Sequence, residues 1–317
     1  MNSSRSEDLR AVEEEILRGA ACIGQAGEVP ALDHLLVRVS PGHLQAVADE
    51  IAALTGYLPT RASVSAGGRT VTLARPGLPP IVLEEGTEEV QGTGLAAIAF
   101  RVEDPDDHCR QMEEREIPCR RIGGTVETER SPLTGIALRF AGPAGWRPGG
   151  REVPLPCRVG ERPYHRRIGR PDHVAVRVRA EDRAAAVLWF MQLTGGRFVG
   201  SEYVVPFRSA NSVVRLERCG FALNVVSGTA PGEDEPFLAR FGPGAHHVAF
   251  ETAEIRETVA ALRGDGTAFS LPLTGAREEG ILQAMTARSP HTGLMIEYIE
   301  RYGGYEGYFS PELARPL

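Results

Sequence analysis

Apolar and polar residues alternate in four stretches of this chain: ALDHLLVRV from Ala31, GLAAIAFRV from Gly94, RPDHVAVRV from Arg170 and GAHHVAFET from Gly244. A period of two sends successive side chains to opposite faces of a strand. In the third stretch His173, Ala175 and Arg177 share one face, while Val174, Val176 and Val178 form an apolar face suited to packing under a helix. A helix-like segment follows each strand: PGHLQAVADEIAALTG, EDPDDHCRQMEEREIP, AEDRAAAVLWFMQLTGG and TAEIRETVAALRGDG. Ser40-Pro41 and Asp104-Pro105 read as starts, and Gly56, Gly195 and Gly264 as stops. Short strand-like runs broken by Gly, Pro and polar residues come next, ending in IVLEEG, GIALRF, GFALNVV and GLMIEYIE.

The unit is therefore strand, helix and about three strands, a βαβββ module repeated four times in an α+β chain. A module of roughly fifty residues has one apolar sheet face that it buries poorly alone, so the modules are expected in pairs. A chain of 317 residues has room for two such domains. The predicted division is a leading helix in 1–30, a first domain in 31–140, a Pro-, Gly- and Arg-rich linker in 141–169, a second domain in 170–300 and a closing segment in 301–317. Within the leading segment, Leu9, Val12, Ile16 and Leu17 fall on one helical face.

The formal charge of −7 and the lack of a basic tract argue against nucleic acid as a partner. All 35 basic residues are arginine, so the chemistry of a Schiff-base lysine, of pyridoxal phosphate and of the P-loop lysine is excluded. Five cysteines, Cys22, Cys109, Cys119, Cys157 and Cys219, are widely spaced and form no CxxC pair, which fits neither a zinc finger nor a disulfide scaffold. No secretory apolar region and no membrane span is read in the chain. The expectation is a cytoplasmic protein acting on a small molecule, with sheet edges and the leading helix available for a homodimer.

Superposing the modules aligns polar positions on the opening and closing strands: His173, Asn224, His247 and Glu297 in the second pair, and His34, Glu84, Ala97 and Arg139 in the first. Two imidazoles and a carboxylate with open positions suit a first-row divalent metal, as in non-heme Fe(II) oxygenases. The first pair has lost one imidazole and carries a cation in place of the carboxylate, so it is expected to be metal-free, with His34 in a structural hydrogen bond. His246 neighbours His247, but alternation predicts that it points to the opposite face.

On these residues the chain resembles the vicinal oxygen chelate superfamily, and its second half resembles the 4-hydroxyphenylpyruvate dioxygenase family. PDHVAV, HHVAF and MIEYIER match that family's ligand strands, which implies His173, His247 and Glu297 as metal ligands. The resemblance implies two half-barrel domains, one divalent metal with Fe(II) foremost and Mn(II), Co(II) or Zn(II) as alternatives, and polar pocket positions at Asn211, Ser212, Asn224 and Gln283. Where the family clamps an aromatic substrate between two phenylalanines, this chain has Met285 and, in GGYEGYF, Gly304 or Tyr305. That departure points away from 4-hydroxyphenylpyruvate and toward an aliphatic or cyclic substrate.

The implied activity is dioxygenation of a 2-oxo acid. The alternative is a metal-dependent epimerase or isomerase of a hydroxyketone, similar to the valiolone epimerases, with Tyr308, Glu300 and His246 as acid/base candidates; a non-catalytic binder is a third class. Gln283 and Tyr308 are the catalytic candidates; Asn211, Ser212, Asn224, Gln283, Arg177, Met285 and Tyr305 are the substrate-binding candidates. Arg177 suits either a substrate carboxylate or an acid at the rim. His291, in SPHTG, is expected in a solvated turn.

Overall fold

The computed structural model describes residues 3–24, 27–65, 67–86, 92–147, 149–154, 158–205, 207–229, 236–311 and 313–316. Cys157 lies outside them. After α1 (Ser3–Cys22), the first half runs β1 (Ala31–Val39), α2 (Leu44–Thr55), β2 (Leu58–Ser65), β3 (Gly68–Ala74), β4 (Ile81–Glu85), β5 (Gly94–Arg101), α3 (Pro105–Glu113), β6 (Cys119–Ile122), β7 (Thr125–Thr128), β8 (Ala137–Ala141) and β9 (Arg151–Glu152). The second half runs β10 (Ile168–Arg177), α4 (Arg183–Thr194), β11 (Arg197–Val204), β12 (Ser209–Leu216), β13 (Phe221–Gly228), α5 (Pro236–Phe241), β14 (Gly244–Thr252), α6 (Ile255–Gly264), β15 (Phe269–Ala276), β16 (Ile281–Thr286), β17 (Met295–Arg301) and β18 (Ala314–Pro316).

Two nine-stranded sheets result, ordered β6-β7-β8-β5-β1-β4-β3-β2-β9 and β15-β16-β17-β14-β10-β13-β12-β11-β18. The orders correspond strand for strand, so the four modules read from the sequence pair as two curled half-barrels. In each sheet the two opening strands pair antiparallel at the centre, β1 with β5 and β10 with β14. Each opening strand also lies parallel to its own module's closing strand. The stretch 141–169 does more than connect: it supplies β9 to the first sheet, a 3-10 turn at Pro163–Arg167 and the start of β10.

Local chemistry sets the element ends. Asp104 caps α3 by accepting from the Asp106 and Asp107 amides, while Gly56 and Gly195 end α2 and α4 with φ of 72° and 65°. Two capping expectations shift. Helix α2 begins at Leu44, three residues after Pro41, and Gly264 is the last residue of α6 rather than its stop.

The valine faces of β1 and β10 pack with the helices into one apolar core that includes Leu35, Val37, Phe100, Phe140, Val174, Val176, Phe190 and Tyr298 from both halves. Polar contacts cross between halves as well: the Tyr298 hydroxyl donates to the Leu54 carbonyl at 2.8 Å, and Ser289 pairs with Glu50 at 2.7 Å. His291 is half-buried and meets His43 at 3.2 Å, so the SPHTG turn is an inter-half contact and not merely solvated. Helix α1 packs on α4 and β11, with the Ser201 amide donating to Glu13. No helix among the described residues is long and apolar enough to cross a membrane.

Candidate metal centre

Strand pairing brings the three distant ligands together. His173 on β10 lies opposite Ala249 of β14, and Ala249 in turn lies opposite Glu297 of β17; Ala175 of β10 lies opposite His247. The small alanines leave space between the three side chains on the concave face. There His173 Nε2 and Glu297 Oε2 are 3.2 Å apart, His247 Nε2 and Glu297 Oε2 3.1 Å, and the two Nε2 atoms 3.4 Å. All three residues are buried.

The triangle has the right size for a metal ion. With metal–ligand bonds of about 2.1 Å, ligand atoms sit roughly 3.0 Å apart at right angles and roughly 3.4 Å apart at the tetrahedral angle. The observed edges fall between these limits. Three ligands on one side of an ion would leave further coordination positions open.

Neighbouring groups orient each ligand. His173 Nδ1 donates to Asp172 Oδ1 at 2.7 Å, which leaves Nε2 facing the triangle. Arg301, at the end of β17, holds both oxygens of Asp172 and, with His173, keeps its carboxyl well below the usual range despite burial. Gln283 donates from Nε2 to Glu297 Oε1 at 3.1 Å. Without a metal, burial works against charge on His173, but Asp172 and Glu297 overcome it and raise the imidazole to about 8. Burial likewise opposes ionisation of Glu297, yet the two imidazoles hold it down at about 2. His173, His247 and Glu297 would hold a divalent ion in place of that proton.

His246 departs from its expected position. Ala175 pairs with His247 and the next residue, Val176, pairs with Ala245, so His246 is an extra residue in a bulge of β14. A bulge breaks the alternation of faces, and His246 and His247 line the same cavity. Their Nδ1 atoms are 2.9 Å apart. For His247 Nε2 to face a metal with its lone pair, Nδ1 must carry the proton and donate to His246.

A cavity of about 380 Å³ opens above His247. Its wall includes Val226, Leu271, Met285, Met295 and Phe309, with Arg177, Arg288 and His246 as its charged or titratable members beside His247. Arg177 and Met285, both substrate-binding candidates from the sequence, line this cavity. Gln283 is buried behind Met285 with Oε1 unpaired, and Asn224, level with Ala175, has a buried unpaired Oδ1. Asn211 lies on the same concave face, level with Val226.

Several expected residues lie elsewhere. Ser212 follows Asn211 on a regular strand and therefore faces the helices, where it pairs with Ser201 at 2.8 Å. Tyr305 lines a separate cleft with Arg170, Asp172 and Tyr308, and its hydroxyl donates to the Phe309 carbonyl at 2.6 Å. The phenylalanines that do reach the cavity are Phe207 and Phe309. Tyr308 packs edge-on against His173 with ring centroids 5.1 Å apart, under the Arg301 guanidinium and outside the cavity wall. Glu300 accepts from the amides that open α6 and is remote from the triangle.

In the first half an ion pair occupies the equivalent positions. Arg139 is level with Ala99 as Glu297 is with Ala249. The buried Arg139 guanidinium donates to Glu127, Trp146 lies beneath it with Arg139 Cζ 5.4 Å from the ring, and His34 donates to Asp33 at 2.8 Å. Register also revises one correspondence: Val82, opposite Leu36, is the counterpart of Asn224, whereas Glu84, opposite Arg38, is the counterpart of Val226. The two-residue offset preserves the face, which is why alternation alone does not expose it. A second grouping, Cys109, Glu113 and Cys119, also lies in this half. Burial and the adjoining Cys119 push the Cys109 thiol up to about 12, away from the thiolate a metal requires.

No known family description matches the chain, and no curated protein matches it. Solved structures do. A triple mutant of 4-hydroxymandelate synthase from Streptomyces coelicolor aligns with a TM-score of 0.72 and 21% identity, covering 90% of this chain and 96% of that one. A xylose isomerase-like TIM barrel/4-hydroxyphenylpyruvate dioxygenase fusion protein aligns with a TM-score of 0.66 and 17% identity, over 90% of this chain and 51% of the fusion. The chain thus has the two-domain vicinal oxygen chelate fold that its sequence resembles, and it shares that fold with these two proteins.

Proposed function

We propose that the protein is a non-heme Fe(II) dioxygenase acting on a 2-oxo acid, or a related oxygen-chelating substrate, other than 4-hydroxyphenylpyruvate. One observation carries the reading: two imidazoles and one carboxylate form a buried triangle of metal-binding size, and one of them, His247, lines a cavity. When bound, Fe(II) supplies Lewis acidity toward the keto acid and reactivity toward dioxygen. The chain's own groups do the rest. Asp172 fixes the His173 tautomer, His246 accepts a hydrogen bond from His247 Nδ1, and Gln283 fixes the rotation of Glu297. Leu271, Met285, Met295 and Phe309 keep water from the open side.

The aliphatic Met285 at a position where the family uses a ring supports a substrate without a hydroxyphenyl group. Oxygen-electrode assays of the Fe(II) protein against a panel of 2-oxo acids should show oxygen uptake matched by carbon dioxide release. Turnover that proceeds unchanged without oxygen would reject the reading. The bulge that brings His246 to the cavity wall favours a second one, epimerisation or isomerisation of a hydroxyketone with His246 as the acid/base candidate. Deuterium incorporation from solvent at a substrate carbon under anaerobic conditions distinguishes it.

A further inference from the structure

The helix and strand that carry Cys109 and Cys119 have counterparts in the second half, so the repeat shows what these positions need for packing alone. The Ile117 amide donates to the Met112 carbonyl and the Glu129 amide to that of Pro118; Thr267 and Leu262, and Ala287 and Ala268, make the same two bonds. This register sets Cys109 against Val259, Glu113 against Arg263 and Cys119 against Phe269. Val259 is buried in the core, Phe269 packs against it, and the Arg263 guanidinium lies over the Phe269 ring at 5.3 Å. An apolar pair therefore satisfies both positions. The first half carries two thiols there instead.

The thiols touch. Cys109 Sγ and Cys119 Sγ are 3.2 Å apart and ten residues apart in the chain, one on α3 and the other opening β6, the edge strand of its sheet. A disulfide holds its sulfurs at about 2.05 Å, so a closure of about 1 Å joins the pair. Their surroundings differ. Cys109 is buried, its S–H donates to Glu113 Oε1 at 3.5 Å, and burial together with Cys119 and Glu113 pushes the thiol up to about 12. Cys119 is half-buried and is the member that a small oxidant reaches first.

We propose that Cys109 and Cys119 form a redox-sensitive pair, which peroxide converts to a disulfide clipping α3 to β6 and which thiols reduce again. The Cys119 sulfur takes an oxygen from hydrogen peroxide: the O–O bond breaks, Cys119 becomes a sulfenic acid and water leaves. The Cys109 sulfur then attacks the Cys119 sulfur, and the S–S bond forms as the S–O bond breaks. The Cys109 proton passes by way of Glu113 to the departing hydroxide, which gives a second water. The two thiols lose two electrons in all, and one peroxide gains them. Neither the metal triangle nor the cavity above it takes part, so the pair stands apart from the function proposed above.

Peptide mapping of the full-length Zn(II)-loaded protein tests the pair, zinc being inert to redox chemistry. Trypsin cuts after Arg101, Arg110, Arg115 and Arg120, so the disulfide joins peptide 102–110 to peptide 116–120. Peroxide, added until the exposed Cys22 is oxidised, should produce that joined pair, and dithiothreitol should remove it. The linked protein should melt roughly 5 °C higher than the reduced one, because a loop has been closed. In Cys109→Val, which carries the residue of the second half, the linkage should be lost and dimedone should trap Cys119 as a sulfenic acid. In Cys119→Ala, Cys109 should stay reduced. Melting temperatures under reducing conditions check that both variants fold, and the unaltered protein alone can decide against the pair. Both thiols free once Cys22 is oxidised, Cys119 joined to another cysteine, an unchanged melting temperature in the linked protein, or as much trapped sulfenic acid with Cys109 as without it, overturns the proposal.

Discussion

His173 illustrates how much of the site is decided by groups one bond away from the ligands. Its Nδ1 proton is committed to Asp172, so Nε2 is the nitrogen that faces the triangle, and an ion would displace the Nε2 proton without a change of tautomer. His173→Ala, His247→Ala and Glu297→Ala are each expected to abolish retention of metal, read by elemental analysis after dialysis. Asp172→Asn should weaken metal affinity by about 10- to 100-fold in a chelator competition. Full metal content in all three ligand variants would dispose of the centre. The convergence of the three candidate ligands was legible in the sequence because alternation assigns them to one face and the differing residues of the first half provide a contrast. Ser212 was misplaced because a likeness of motif outweighed that same alternation. Phe309 and Arg288 carry no periodic signal, since both lie in turns whose course the pattern of apolar residues does not define.

Among elements, β14 gave the least away. A bulge is a single unpaired residue with no mark in composition, and it brought His246 to the side of the sheet that strict alternation denies it. Strands β7 and β8 carry a testable substitute for a metal: Glu127 and Arg139 are both buried and bonded to each other. Arg139→Ala should cost about 3 kcal/mol in denaturant unfolding, because Glu127 would keep only its exposed partner Arg120. Helix α3 gives the molecule an acid weakness. His108 packs on Phe140 with ring centroids 4.0 Å apart, and burial holds its imidazole down at about 4, against the opposing help of the Leu193 carbonyl and Asp107 and with Arg115 nearby. The folded protein thus prefers the neutral ring, while the unfolded chain protonates near the ordinary 6.5. Stability that is complete above about pH 6.5 should fall by up to about 3 kcal/mol as the pH drops toward 4. His108→Gln should flatten that part of the unfolding profile; an unchanged slope would assign the loss to other groups.

The whole molecule unfolds, on this packing, as a unit. The core is continuous between halves, and Tyr298 and Ser289 of the second half bond to Leu54 and Glu50 of the first. The chain has two tryptophans, Trp146 stacked near His34 and Trp189 in α4, one for each half. Fluorescence of Trp146→Phe and Trp189→Phe proteins should therefore report the same denaturation midpoint, and metal at a hundredfold excess over its Kd should raise stability by about 2.7 kcal/mol at both. Separate midpoints, with only the Trp189 signal responding to metal, would mean independent halves. The repeat itself was fully legible, because each module writes the same strand-and-helix pattern; the contacts joining the halves were not, since single polar atoms such as the Tyr298 hydroxyl leave no pattern.

Arg301 and Glu297 belong to one strand, yet Arg301 reaches past β14 to grip Asp172 on β10. The grip is a rivet through the seam where two modules meet. If one module slid by a residue against the other, the carboxylate would leave the triangle and the guanidinium would release the acid that steers His173, so a misassembled barrel would be disarmed twice over by a single error.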